Sequence, residues 1–154
     1  MSSYLGKYFS RRRKDAKFKK EEFLERNMDL EILGKEIVDS AYKVHTELGP
    51  GLLESVYEVS LAYELAKRGR KVQRQVPMKI KYEDIYFDEG FRADLIVNDL
   101  VIIELKSVEK VHLVYKKQLL TYLKLTDKNL GFLINFGEVL IKNGITRIVN
   151  NYRE

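Results

Sequence analysis

The chain of 154 residues contains no cysteine. That absence excludes disulfides and thiolate metal sites, and it fits a reducing, intracellular and cytoplasmic setting. No apolar run approaches the roughly 20 residues of a membrane-spanning helix, and the N-terminus lacks the apolar core of a signal peptide, so no membrane association is expected. No internal repeat stands out. Excess charge is also missing from most of the chain. The formal net charge is +5, yet residues 28–154 hold nineteen basic and nineteen acidic side chains. Residues 1–27 hold nine basic and four acidic ones, and with them the whole excess. A neutral body argues against a protein that coats nucleic acid through a general positive surface. The basic arm, with Arg11, Arg12, Arg13 and Lys14 in succession, can contact phosphates or serve as a solubilising extension.

What is present suits one domain with a real core. Residues 1–27 are expected to be an arm, partly disordered or helical, with a short helix over Lys17 to Arg26. Residues 28–154 are expected to be the folded domain. From Met28, the residues Leu30, Leu33, Ile37, Ala41, Val44 and Leu48 recur at helical steps of three and four, with Asn27 or Asp29 as a cap. Gly49-Pro50-Gly51 ends that helix. A second helix is expected from about Leu52 to Arg68, with Leu53, Val56, Leu61, Leu65 and Ala66 as its apolar stripe. Lys71 to Tyr82 reads as one strand, or as two broken at Pro77. Glu83 to Gly90 reads as a polar turn. After Ser107 to Val111, a third helix is expected over His112 to Leu125, packing through Leu119, Leu120 and Leu123. Leu130 to Phe136 reads as a buried strand. Val139 to Ile141 and Ile145 to Val149 read as a terminal hairpin turning at Gly144. This order predicts an α/β domain: a mixed β-sheet flanked by helices.

The stretch Phe91 to Lys106 departs from plain alternation. Asp94, Glu104 and Lys106 sit inside apolar, β-branched segments joined by Asn98-Asp99. Strand side chains alternate between faces, so Val101, Ile103 and Leu105 share one face, and Ile102, Glu104 and Lys106 share the other. Ala93, Leu95 and Val97 should likewise share a face opposite Asp94 and Ile96. A two-residue turn would set Asp94 opposite Ile103. A three-residue turn, 98–100, sets Val97 opposite Val101 and Asp94 opposite Glu104. Only the second register leaves one face wholly apolar and gathers the charges on the other, so the three-residue turn is expected. Adjacent carboxylates repel, and a divalent cation with oxygen ligands relieves that repulsion; Mg²⁺ suits such a site. Alone, Glu54 in the first turn of its helix is explained by the helix dipole, and Tyr57 by the edge of the core.

Several motifs follow one another in order. They are Gly51-Leu52-Leu53-Glu54-Ser55-Val56-Tyr57, Phe91-Arg92-Ala93-Asp94-Leu95, Ile103-Glu104-Leu105-Lys106, Gln118-Leu119-Leu120-Thr121-Tyr122-Leu123 and Leu133-Ile134-Asn135-Phe136. Over residues 28–150 the chain resembles the GxxExxY protein family, a branch of the PD-(D/E)-x-K nuclease superfamily. The resemblance implies a restriction-endonuclease-like core and a Mg²⁺- or Mn²⁺-dependent nuclease acting on nucleic acid, with DNA favoured over RNA. It implies that Asp94 and Glu104, with the Leu105 backbone carbonyl, hold the metal and that Glu54 joins them. Lys106 would orient the attacking water or stabilise developing charge, and Gln118 would position water or substrate. Tyr57, Tyr122, Lys116 and Lys117, with Arg11, Arg12 and Arg13 of the arm, would contact substrate. The resemblance departs at Tyr115, where the family carries a histidine three residues before the glutamine; the nearest histidine here is His112. A lone domain of this size also suits a homodimer or a partner protein. On that reading it is a silent binding or interaction subunit of a larger DNA-processing complex.

Overall fold

The structure, a computed structural model, describes residues 2–151. The first helix, α1, spans Ser2–Leu48 and runs unbroken through the boundary expected after residue 27. Of the two states expected for the arm, partly disordered or helical, the helical one is present, but as part of one continuous helix rather than a separate one over Lys17 to Arg26, and no cap at Asn27 or Asp29 is needed. Residues 1–27 contain no proline and abound in long charged side chains that favour helix. What changes near residue 28 is packing. Leu5, Phe9, Phe18 and Phe23 are exposed, whereas Leu30, Leu33, Ile37, Ala41 and Val44 form a buried stripe. Leu48, expected in that stripe, is exposed at the helix end.

Gly49 and Gly51, at φ 69° and 93°, turn the chain into α2 (Glu54–Lys67). The buried face of α2 is Tyr57, Glu58, Leu61, Ala62 and Leu65. Leu53, Val56 and Ala66, expected in its stripe, are exposed. The helix is turned by Tyr57, whose ring stacks on Phe136 with centroids 4.4 Å apart and planes 7° from parallel. That contact spans about half of the chain, and local periodicity does not register it.

The strands are β1 (Val72–Pro77), β2 (Ile80–Tyr82), β3 (Ile85–Phe87), β4 (Arg92–Val97), β5 (Val101–Lys106), β6 (Leu130–Asn135) and β7 (Ile145–Val149), with α3 (Leu113–Leu125) between β5 and β6. One five-stranded sheet has the order β1-β4-β5-β6-β7, and β2 and β3 form a separate hairpin. Only β5 and β6 are parallel, and α3 is the crossover that parallel neighbours require. The chain does break at Pro77. Ile85–Phe87, expected within a turn, is instead strand β3. Val139 to Ile141, expected as one arm of a hairpin, forms no strand; Ile141–Asn143 is a 3₁₀ turn, and β7 pairs with β6. The fully buried β6 is the better partner, because its backbone groups need a neighbour on both sides.

The sheet separates two apolar layers. Leu95, Val97, Val101, Ile103 and Leu105 pack with α1 and α2. Ile96 and Ile102 pack with Leu119 and Leu123 of α3 and with Phe91 and Met78. This is a mixed sheet flanked by helices, as a restriction-endonuclease-like fold requires, and it places the β4–β5 hairpin in the middle.

Candidate active site

The hairpin adopts the three-residue turn. Val97 pairs with Val101, Ile96 with Ile102 and Leu95 with Ile103. Asn98 and Asp99 both lie in the left-handed region, at φ 52° and 55°, which Asn and Asp tolerate better than most residues. The next pair in that register is Asp94 with Glu104, and there the backbone ladder stops. The Leu105 amide donates to Asp94 Oδ2 at 2.8 Å, and the Asp94 amide donates to Glu104 Oε1 at 3.3 Å. Side chains thus replace strand-to-strand bonds, and the two acids meet. The face alternation slips at this point. Ala93, expected to pack with Leu95 and Val97, joins the cluster on the α3 side. On the other flank of β4 the ladder with β1 also omits Asp94, whose opposite residue, Gln75, has φ 51°.

Glu104 is half-buried, and burial, then the charge of Asp94, pushes its carboxyl up to about 8; Lys106 and the Asp94 amide oppose the shift. At neutral pH the pair therefore retains a proton when nothing else neutralises it. Glu54 stands at the start of α2, on a cavity of about 220 Å³ that Ser55, Glu58, Gln75, Asp94 and Leu105 also line. Burial raises its carboxyl, Lys106 opposes this, and Asp94 and Glu58 add to it. The Lys106 ammonium lies 4.2 Å from the centre of the Tyr115 ring. The residue standing where a histidine was expected thus supports the lysine by a cation–π contact.

Helix α3 brings Tyr122 near Glu104. Burial and the charge of Glu104 raise the Tyr122 hydroxyl, and a hydrogen bond with Gln118 lowers it. The Tyr122 ring stacks on Phe91. The loop after Lys106 is fastened from two directions. Ser107 Oγ donates to Leu52 O at 2.6 Å. Buried Asn135 accepts from the Val108 amide at 3.0 Å and donates to the Val108 carbonyl at 2.9 Å. A Cβ on Gly137 would fall 2.2 Å from that carbonyl, so only glycine lets the two loops close together.

The structure thus gathers Asp94, Glu104, Lys106 and Glu54, with Gln118 and Tyr122 on the adjoining helix. It does not offer Tyr57 to a substrate. Tyr57 is fully buried, and its hydroxyl donates to Gly49 O at 2.5 Å and accepts from the Leu52 amide at 3.1 Å. It locks the turn that starts α2, which is a structural task. Lys116 and Lys117 are exposed on α3, and Arg11, Arg12 and Arg13 on α1; none of them lines the cavity. The residues missed from sequence are Glu58, Arg74 and Gln75. The i, i+4 spacing of Glu54 and Glu58 puts both on one helix face, but the burial of Glu58 depends on which strand packs there.

Among the described residues, no group of three or more His, Cys, Asp or Glu is close enough to hold a metal ion. Asp94 and Glu104 do form an adjoining oxygen pair, and Glu104 holds its proton more tightly than an ordinary carboxyl; that donor chemistry fits a hard divalent cation, which removes the repulsion a proton removes in its absence.

A mixed sheet with an aspartate on one strand and Glu-x-Lys on the next, meeting where the strands part, is the layout of a restriction-endonuclease-like domain. Residues 31–148 match the family model of the PD-(D/E)XK nuclease superfamily, and the chain belongs to that superfamily. No curated protein and no solved structure matched the chain. Among the described residues, no helix is long and apolar enough to cross a membrane.

Proposed function

We propose that the chain is a metal-dependent nuclease that hydrolyses phosphodiester bonds in nucleic acid, DNA before RNA, and that it falls in the GxxExxY branch of its superfamily. The observation that carries this reading is the meeting of Asp94 and Glu104 at the parted strand ends, with Lys106 two residues on. The Glu54-x-x-Tyr57 pair supports the branch: its tyrosine builds the turn that sets its glutamate on the cavity. Asp94, Glu104 and the Leu105 carbonyl would hold Mg²⁺ or Mn²⁺, which when bound would supply Lewis-acid chemistry to the phosphodiester. Lys106, steadied on Tyr115, orients the attacking water or offsets charge building on the phosphoryl oxygens. Glu54 contributes a further carboxylate at the cavity. Gln118 and Tyr122 present hydrogen-bonding groups to water or substrate, and Lys116 and Lys117 lie exposed for phosphate contact. A chain without cysteine suits the reducing cytoplasm as its working place.

The direct test is cleavage of DNA and RNA with Mg²⁺ or Mn²⁺. Asp94→Ala, Glu104→Ala and Lys106→Ala should each lower cutting by at least about 100-fold while circular dichroism stays unchanged. A wild-type protein that binds nucleic acid yet cuts none with either metal would make it a silent binding module and overturn the nuclease reading.

The basic half of α1 is proposed to hold the phosphate backbone through Arg11, Arg12, Arg13 and neighbouring lysines. Each phosphate contact releases condensed counterions, so replacing the three arginines with glutamine should weaken binding and flatten its salt dependence by up to about 3 in log–log slope. An unchanged slope would remove the helix from the interface.

A further inference from the structure

Gln75 lies opposite Asp94 in the register of β1 and β4, but the ladder passes both by. Arg74 pairs with Leu95 and Val76 with Ala93. At φ 51°, Gln75 occupies the left-handed region that glycine enters freely and glutamine does not. No tight turn calls for this, since the residue is inside a strand. Its carbonyl accepts from Arg92 Nη1 at 3.2 Å. Its side chain instead enters the cavity that Asp94 lines. There its amide nitrogen donates to Asp94 Oδ1 at 3.3 Å and also to Glu58 Oε1. A side-chain amide has two N–H donors, and both are spent on carboxylates.

Glu58 is the fixed end of this chain of contacts. It is only 5% exposed, which for a carboxylate demands a partner. Arg74 supplies one, reaching Oε2 from Nη2 at 2.9 Å and from Nε at 3.2 Å. The contacts run Arg74, Glu58, Gln75, Asp94, linking α2 to the acid on β4. Asp94 is then held from two sides: Gln75 on Oδ1 and the Leu105 amide on Oδ2.

We infer that Gln75 is a positioning residue of the site, whose left-handed backbone aims its amide so that buried Glu58 fixes the orientation of Asp94. An unfavourable backbone angle inside a strand persists only where the surroundings hold it, and such angles gather at functional sites. Hydrogen bonds from behind a metal-binding carboxylate set its direction and strengthen binding. The inference rests on the cation-holding role proposed for Asp94. A purely structural network would fasten α2 to β1, and losing the amide would then cost stability and leave cation binding alone.

The test uses the full-length chain and Mn²⁺ alone, with free Mn²⁺ measured by electron paramagnetic resonance and stability by thermal unfolding. Gln75→Ala and Gln75→Gly both remove the amide, but only alanine keeps the backbone penalty. Both should weaken Mn²⁺ binding by about tenfold or more. The glycine variant should melt about 2–4 °C above the alanine variant. Wild-type Mn²⁺ affinity in either variant, with Asp94→Asn binding weakly, would overturn this inference and leave the nuclease reading intact. Wild-type affinity in Asp94→Asn would place the cation elsewhere and overturn both. Equal melting of the two Gln75 variants would show that the backbone angle aims nothing and would overturn the role assigned to it.

Discussion

The two ends of the β4–β5 hairpin obey different rules. Near the turn, Val97 and Val101 are fully buried and backbone-paired, and the strands continue in register through Leu95 and Ile103. One step further, Asp94 and Glu104 interrupt the pairing and place carboxylates where peptide groups would meet. The regular end is held by apolar burial and a complete ladder. The open end is held by charged hydrogen bonds, and it crowds two acids so closely that one keeps its proton. Within a single hairpin, the apolar paired segment and the acidic pair are thus spatially separated, and the regular end positions the costly one.

That separation can be broken first at the regular end. Ile103→Ala leaves a void in a buried layer and should cost about 2–5 kcal/mol of stability, read by denaturant unfolding, with little effect on cutting per folded molecule. Asp94→Asn should do the reverse, removing cutting while shifting metal-free stability by less than about 1 kcal/mol. Lost repulsion there offsets weakened hydrogen bonds. Two variants that lowered stability and cutting in the same proportion would erase the distinction between the ends.

A smaller effect sharpens it. The folded-state pKa of Glu104 is raised to about 8, above that of an ordinary carboxyl. A raised acid contributes stability that is complete below its unfolded pKa and is lost as pH climbs through its folded value. The metal-free protein should therefore melt progressively lower from about pH 5 to about pH 9, and Glu104→Gln should flatten that slope. Mn²⁺ competes with the same proton, so its affinity should rise over this window. A melting temperature independent of pH would mean that neither burial nor Asp94 raises the Glu104 carboxyl.

The core of this site could be read from the chain because it depends on short-range rules. A period of two and one turn length are enough to set Asp94 opposite Glu104. The buried stripe of α1 was equally legible, because nearly all its residues lie on one continuous helix. The face of α2 was not. It is chosen by the stacking of Tyr57 on Phe136, which also withdraws Tyr57 from any substrate. The slip of Ala93 to the other face was hidden too, since it falls beside Asp94, where the ladders to Glu104 and to Gln75 on two different strands are both interrupted. Glu58 looked like any helical glutamate until β1 brought Arg74 and Gln75 against it.

The sequence by itself determined the order of elements, the hairpin register and the charges that register gathers, because side-chain periodicity and turn chemistry act over a few residues. Only the tertiary structure decided how those charges are supported: the parting of the strands, the proton held by Glu104, the lysine resting on Tyr115 and the line of contacts from Arg74 to Asp94. Each of these depends on burial or on contacts between different elements, and desolvation exists only once the layers have closed.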